Sequence, residues 1–408
     1  MTATDSSPVL RSSSAYGLPR RRSRSIGDNI HMGQSYRVAH VGTGQTGAIA
    51  LRQILRSPRL ELVAHLVHTP AKVGQDSGQL VGEPAVGVVA TDSLEDFLAL
   101  DADCVTYVAP VAMGGRDIKE VVDQLCAILA SGKNIVTPAY VELFHPPSLD
   151  DATRDKLAAA CNQGNSSIFA TGIAPGFASD VLAVHAASMS SFPTNVSVQE
   201  RLPCGTYRSP GFFAALGFGR TPEQDAELYP PGAMIAHFAP SVRLLAQGLG
   251  LAIEEVREHR DIALADRDYC FDAGDIATGT IASVRMRFDG ICNGTARVHF
   301  SAIWSMPDEA IEDWQPNIPA SSPIRRLTQI TVDGDPPVQL DFALTAGELP
   351  GVTATAARVL NAIPAVCGAP PGVLSALDLV VPAQASLITA GASGAEISTA
   401  NHTAHQKP

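Results

Sequence analysis

From Tyr36 onward the chain alternates between two apolar patterns. Short, largely β-branched runs at Tyr36–Val41, Leu60–Val67, Cys104–Ala109 and Asn134–Thr137 read as strands, and Val86–Ala90 reads as a further short one. Between them, Ile49–Leu55, Leu94–Leu100 and Asp117–Ala130 repeat at the helical spacing. The last of these lines up Ile118, Val121, Val122, Leu125 and Leu129 on one side, with Gly132 just past its end. Strands alternating with helices in this way predict a doubly wound parallel sheet, the α/β Rossmann arrangement.

After Asp180 the texture changes. Helical spacing survives at Ala178–Met189 and Ser241–Gly250. It is interleaved with strand-like runs at Val196–Gln199, Gly279–Phe288, Ala296–Ile303 and Thr328–Val332, the last leading into an Asp333-Gly334-Asp335 turn. This predicts an α+β substrate lobe with a mixed or antiparallel sheet. A final helix over Thr353–Pro364 is stopped by Ala369-Pro370-Pro371-Gly372. The expected organisation is a Rossmann domain over 36–170, completed by 352–386, and a second lobe over 171–351. The polar segments 1–35 and 387–408 have too little apolar content to offset ordering entropy and read as tails.

Composition narrows the classes. With 45% hydrophobic and 17% charged residues, the chain can bury a core and is not disordered as a whole. Its net charge of −12 is unevenly placed, because residues 1–36 carry five arginines against two acids and the rest therefore carries −15. An acidic body repels phosphate polymers, so a nucleic-acid partner is not expected. No apolar run is long and unbroken enough to span a membrane, and none follows the Arg20–Arg22 run as an export signal would require. The seven scattered cysteines form no Cys-x-x-Cys pair, and neither His nor carboxylate spacing suggests a metal. The expectation is a reduced, cytoplasmic protein.

Gly42-Thr43-Gly44-Gln45-Thr46-Gly47 is a Gly-x-Gly-x-x-Gly sequence directly after a strand and opening a helix. In that setting its first glycine permits a tight turn, its second lets backbone approach a pyrophosphate, and its third lets helix pack on strand. The helix N-terminus then offers free N–H groups to the phosphates. The second strand ends His68-Thr69-Pro70-Ala71-Lys72, with no carboxylate before Asp76. A carboxylate there would favour the free ribose hydroxyl of NAD. Thr69 and Lys72 instead suit the 2′-phosphate of NADP, so NADP is favoured over NAD; the alternative is that Lys72 is an ordinary solvated loop residue.

Five segments carry a resemblance: YRVAHVGTGQTG at Tyr36–Gly47, LELVAHLVHTPAKVGQDSGQL at Leu60–Leu80, ILASGKNIV at Ile128–Val136, TGIAPGFASDVL at Thr171–Leu182 and TATAARVLNAIPAVCGAPPGVLSALDL at Thr353–Leu379. Together they resemble the dihydrodipicolinate-reductase-like proteins, a group similar to the NAD(P)-dependent amine dehydrogenases and 2,4-diaminopentanoate dehydrogenase. The resemblance implies a Rossmann domain, a mixed-sheet substrate lobe, a last helix returning to the first domain, and a homodimer. It also implies hydride transfer between nicotinamide and a C–N bond of a small amine or imine. Cofactor contacts then fall on Gly42–Gly47, His68, Thr69, Lys72, Ala109, Pro110 and Thr137.

In the amine dehydrogenases a glutamate just beyond the fifth strand stabilises the substrate iminium. The corresponding Glu-Glu is Val141-Glu142 here, which makes Glu142 the first catalytic candidate, with Tyr140 and His145 as alternative proton donors. For Glu142 the competing reading is an exposed loop carboxylate, and for His145 it is loop packing. Ala174, Pro175, Gly176 and Phe177 lie in the turn that edges the nicotinamide pocket in the family, and His299 is a further substrate-side candidate, or else a core histidine. Ala174 stands where the family has Asn or Asp, and Val298 where relatives often have Glu. Two other readings stay open: a carbonyl or hydroxyl dehydrogenase on the same scaffold, and a nucleotide-binding protein without catalysis.

Overall fold

Tyr36–Val41 forms β1, buried along nearly its whole length, as a central strand of a two-sided parallel sheet must be. There follow α1 (Gln45–Arg56), β2 (Leu60–Leu66), α2 (Leu94–Ala99), β3 (Cys104–Tyr107), α3 (Ile118–Ala130), β4 (Asn134–Thr137), α4 (Asp151–Gly164) and β5 (Ser167–Ala170). The computed structural model describes residues 35–381, except 110–115, 209, 230–231, 233, 311, 315–323, 346 and 348. The tails expected over 1–35 (all but residue 35) and 387–408 therefore lie outside the described residues, as does Pro110.

The second lobe contains α5 (Leu182–Ala187), β6 (Asn195–Pro203), α6 (Pro210–Ala215), α7 (Pro222–Leu228), α8 (Ile235–Gly248), β7 (Glu255–Leu264), β8 (Tyr269–Phe271), β9 (Gly274–Ile276), β10 (Ile281–Cys292), β11 (Thr295–Ser305), β12 (Arg326–Asp333) and β13 (Val338–Leu344). The chain then returns through α9 (Pro350–Gly368) to β14 (Gly372–Leu374).

The first sheet is parallel throughout, in the order β14-β5-β4-β3-β1-β2. One face packs on α2, α3 and α4 through Phe97, Val121, Leu125, Leu157 and Cys161, and the other on α1 and α9 through Ile54, Val359, Leu360, Ile363 and Val366. The expected end of the last helix at Pro364 is corrected, because α9 runs on to Gly368. An internal proline costs about 3 kcal/mol. Burying Leu360, Ile363 and Val366, at roughly 1.5–3 kcal/mol each, more than offsets it.

Val86–Ala90 is not a strand. Its backbone is engaged by the preceding loop: Gly74 and Ser77 donate to Ala90 and Val88, and Ala90 donates to Gln75. Only Thr91 pairs with β2, in a single parallel bridge to Leu66. The pattern also hides α4, whose apolar side consists of little more than Leu157, Ala160 and Cys161.

The second sheet is mixed, in the order β13-β12-β6-β11-β10-β7, with β6 and β11 parallel and the other pairs antiparallel. Val196, Val198, Phe288, Val298, Phe300 and Ile330 face α5 and α8. Strand side chains alternate between faces, so Ser197, Gln199, Arg287, Asp289 and His299 lie on the other face, which no helix covers among the described residues. Helix α8 begins at Ile235, earlier than the expected Ser241, and carries Pro240 within it.

Candidate active site

The glycine turn leaves the carboxyl end of β1. Gly42 has φ +103°, and a Cβ there would lie 2.9 Å from the Ala109 nitrogen, so the turn and the end of β3 meet backbone to backbone. A Cβ on Gly47 would strike the Gly42 carbonyl oxygen at 2.5 Å, whereas one on Gly44 would meet nothing within 4 Å. Gly44 is also the N-cap of α1 and offers no side chain to its first N–H groups. The turn thus closes tightly underneath, opens above, and presents unpaired donors at a helix N-terminus, which is the arrangement a dinucleotide pyrophosphate fits.

Around it, Lys72 Nζ donates to the Thr43 hydroxyl at 2.8 Å and to the Thr43 carbonyl at 3.1 Å. His68 and Thr69 follow β2 directly. Asp76, the first carboxylate after β2, is spent on its own loop, accepting from the N–H groups of Gly78, Val86 and Gly87 at 2.8–3.1 Å. Thr137 ends β4 and is buried, its hydroxyl accepting from the Ala139 N–H at 3.0 Å.

Beyond β4, the 3-10 turn Val141–Phe144 packs against α8. Glu142 is half-buried, and that burial raises its carboxyl above the ordinary range. Tyr140 is pushed up to about 12, by burial first and then by the negative charge of Glu142 and Asp150. The two side chains therefore lie close enough to couple. His145 is held down to about 4 by burial and then by the Arg243 charge, and its Nδ1 pairs with the Ser148 hydroxyl at 2.7 Å. His145 is thus engaged with its own loop and α8.

The turn at Gly172–Phe177 abuts this segment, since a Cβ on Gly172 would lie 3.8 Å from the Phe144 ring. Its Ala174–Pro175 peptide is cis, and Gly176 has φ +128°, with space for a Cβ closed off by the Gly172 oxygen at 2.4 Å. A π-helical turn, Phe177–Val181, follows in place of the expected regular helix start. Gly176 is its N-cap, and the side chains of Ser179 and Asp180 both accept the Gly176 N–H from within the helix, at 3.0 and 3.1 Å.

Sequence reasoning missed the weight of Asp180. Its carboxylate is fully buried and also accepts from the Val181 N–H at 2.7 Å and the Ser241 hydroxyl of α8 at 3.2 Å. Burial raises it to about 7, and these hydrogen bonds limit the rise. The available signal was an acid inside an otherwise apolar helical stretch. Phe177 meets Phe342 edge-on, with ring centres 5.9 Å apart, and carries the Arg358 guanidinium 4.8 Å from its centre.

His299 is not grouped with these residues. It projects from the face of the second sheet opposite α8, where its Nδ1 pairs with Asp289 at 2.7 Å. Val298, by contrast, is a core residue beneath α8. No group of three or more side chains able to hold a metal occurs among the described residues, and no helix among them is long and apolar enough to cross a membrane.

An amine dehydrogenase of Streptomyces virginiae is 30% identical over 346 residues, which cover 83% of this chain and 94% of that protein. The chain belongs to the amine dehydrogenase family. Within that family it is also similar to 2,4-diaminopentanoate dehydrogenase of Acetoanaerobium sticklandii, at 20% identity over 77% of this chain and 82% of that protein. Residues 209–391 match the family described as the 2,4-diaminopentanoate dehydrogenase C-terminal domain. The solved structure of the amine dehydrogenase from Mycobacterium smegmatis shares the fold, with a TM-score of 0.69 at 20% identity over 87% of this chain and 99% of that one.

Proposed function

We propose that this protein is an NADP-dependent oxidoreductase that moves hydride between the nicotinamide and the C–N bond of a small amine or imine. The observation that carries the reading is the meeting of two segments. The Tyr140–Phe144 stretch, with its half-buried carboxylate, abuts the Gly172–Phe177 turn beside the carboxyl ends of β4 and β5, on a chain whose β1 ends in an open glycine turn.

The turn Gly42–Gly47 and the first N–H groups of α1 would hold the pyrophosphate. Ala109, Thr137 and the residues after β2 would line the rest of the groove, with Lys72 steadying Thr43. Bound there, the nicotinamide supplies or accepts the hydride. The chain's part is electrostatic. Glu142 faces the positive charge that develops on the substrate nitrogen and takes or returns its proton, and the partial burial that raises its pKa brings it nearer to a working pH. The neighbouring Tyr140 stays protonated and donates a hydrogen bond. Ala174 and Phe177 form the apolar rim of the substrate side.

NADP is favoured because Asp76 is committed to loop N–H groups, which leaves the end of β2 without a carboxylate for the ribose hydroxyls. The polar face of the second sheet, which no helix covers among the described residues, supports a homodimer. Thermal stabilisation by NADP and by NAD, followed by cofactor reduction with a panel of small amines, tests the reading. The expected outcome is a larger shift with NADP and turnover of an amine. Stabilisation by neither cofactor would contradict it.

A further inference from the structure

The inference concerns cofactor choice and rests on the NADP reading above. The chain leaves β1 for β2 in one direction and β3 for β4 in the other, so the crevice along the carboxyl edge of the first sheet opens between β1 and β3. His68, Thr69 and Lys72 form one side of it. The other side is the carboxyl end of β3, where the Tyr107 hydroxyl holds Arg116.

Arg116 is held in place by neutral partners. One terminal nitrogen donates to the Tyr107 hydroxyl at 2.6 Å and the other to the Gln124 side-chain oxygen at 3.1 Å; the Tyr107 hydroxyl donates to that same oxygen at 2.8 Å. Asp117, its neighbour in sequence, is turned away to cap α3 through the Lys119 N–H at 2.9 Å. No carboxylate pairs with Arg116 among the described residues. Burial first, and then the Arg116 charge, lower His68, which also bonds the same Gln124 that holds Arg116, so the guanidinium lies near the residues after β2. A positioned, unpaired guanidinium in a chain whose body is otherwise strongly acidic calls for an anionic ligand, and its planar fork matches a phosphate.

We infer that Arg116 reads the 2′-phosphate of NADP, facing His68 and Lys72 across the crevice, and is the residue that separates NADP from NAD. Sequence reasoning passed over it because it lies more than forty residues beyond the end of β2, where the ribose signal is ordinarily sought.

The test is the affinity of the purified full-length chain for NADP, NAD and 2′,5′-ADP, measured by titration calorimetry. Arg116→Gln is expected to weaken NADP and 2′,5′-ADP at least about 10-fold and to leave NAD within about twofold. Gln124→Glu, which sets a carboxylate against the guanidinium, is expected to shift selectivity the same way and serves if the first variant does not fold. Equal losses for NADP and NAD, or selectivity retained in both variants, would overturn the inference while leaving the NADP reading intact. A wild-type chain that binds NAD as tightly as NADP, and 2′,5′-ADP not at all, would overturn both.

Discussion

Two histidines beneath the glycine turn show how single side chains tie the cofactor site to stability. His40 and His65 are both buried, with ring centres 5.4 Å apart; His40 Nδ1 pairs with Thr106 at 2.7 Å and His65 Nδ1 with Ser77 at 3.0 Å. Their Nε2 atoms make no hydrogen bond among the described residues. Burial first, and then the charge of His65 on His40 and of Lys72 on His65, hold them down to about 3 and about 4. In the unfolded chain both titrate near ~6.5. Their contribution is therefore full above about pH 6.5 and is lost as pH falls toward 3, at up to about 1.4 kcal/mol per pH unit for each ring. Asp180 acts with the opposite sign, since a carboxyl raised to about 7 contributes most below its unfolded value and loses that contribution as pH rises through 7. His65→Phe should flatten the fall of melting temperature between pH 6.5 and 4. An acid slope identical to that of the wild type would refute this.

At the scale of elements, legibility followed burial. β1 matches its sequence pattern residue for residue because a central strand is apolar on both faces. The edge strands β7 and β13 escaped notice, since only one side of each faces the core and the other is charged, as at Arg257, Asp261 and Asp341. The glycine turn was legible because its chemistry is local. The Asp180 network was not, because Ser241 and Arg358 reach it from elements far along the chain. The polar face of the second sheet, which no helix covers among the described residues, is also an element-scale feature. If it joins two copies as proposed, sedimentation should give twice 42.7 kDa, and Ser197→Arg, which places a bulky charge in that face, should yield monomers. A wild-type monomer at micromolar concentration would contradict the proposed dimer.

At the scale of the whole molecule, α8 packs on the second sheet and also touches both the 141–144 and the 177–181 turns, which ties that sheet to the proposed site. The acidic body offers no general attraction for phosphates, and under the proposed function local donors at the Gly42–Gly47 turn hold the cofactor. Val298 is core, and the proposed function rests its catalysis on Glu142. The most direct measurement is the steady-state rate of amine oxidation by Glu142→Gln, with NADP affinity determined in parallel. The account predicts a loss of at least about 100-fold in rate with NADP affinity unchanged. Near-normal turnover would contradict it.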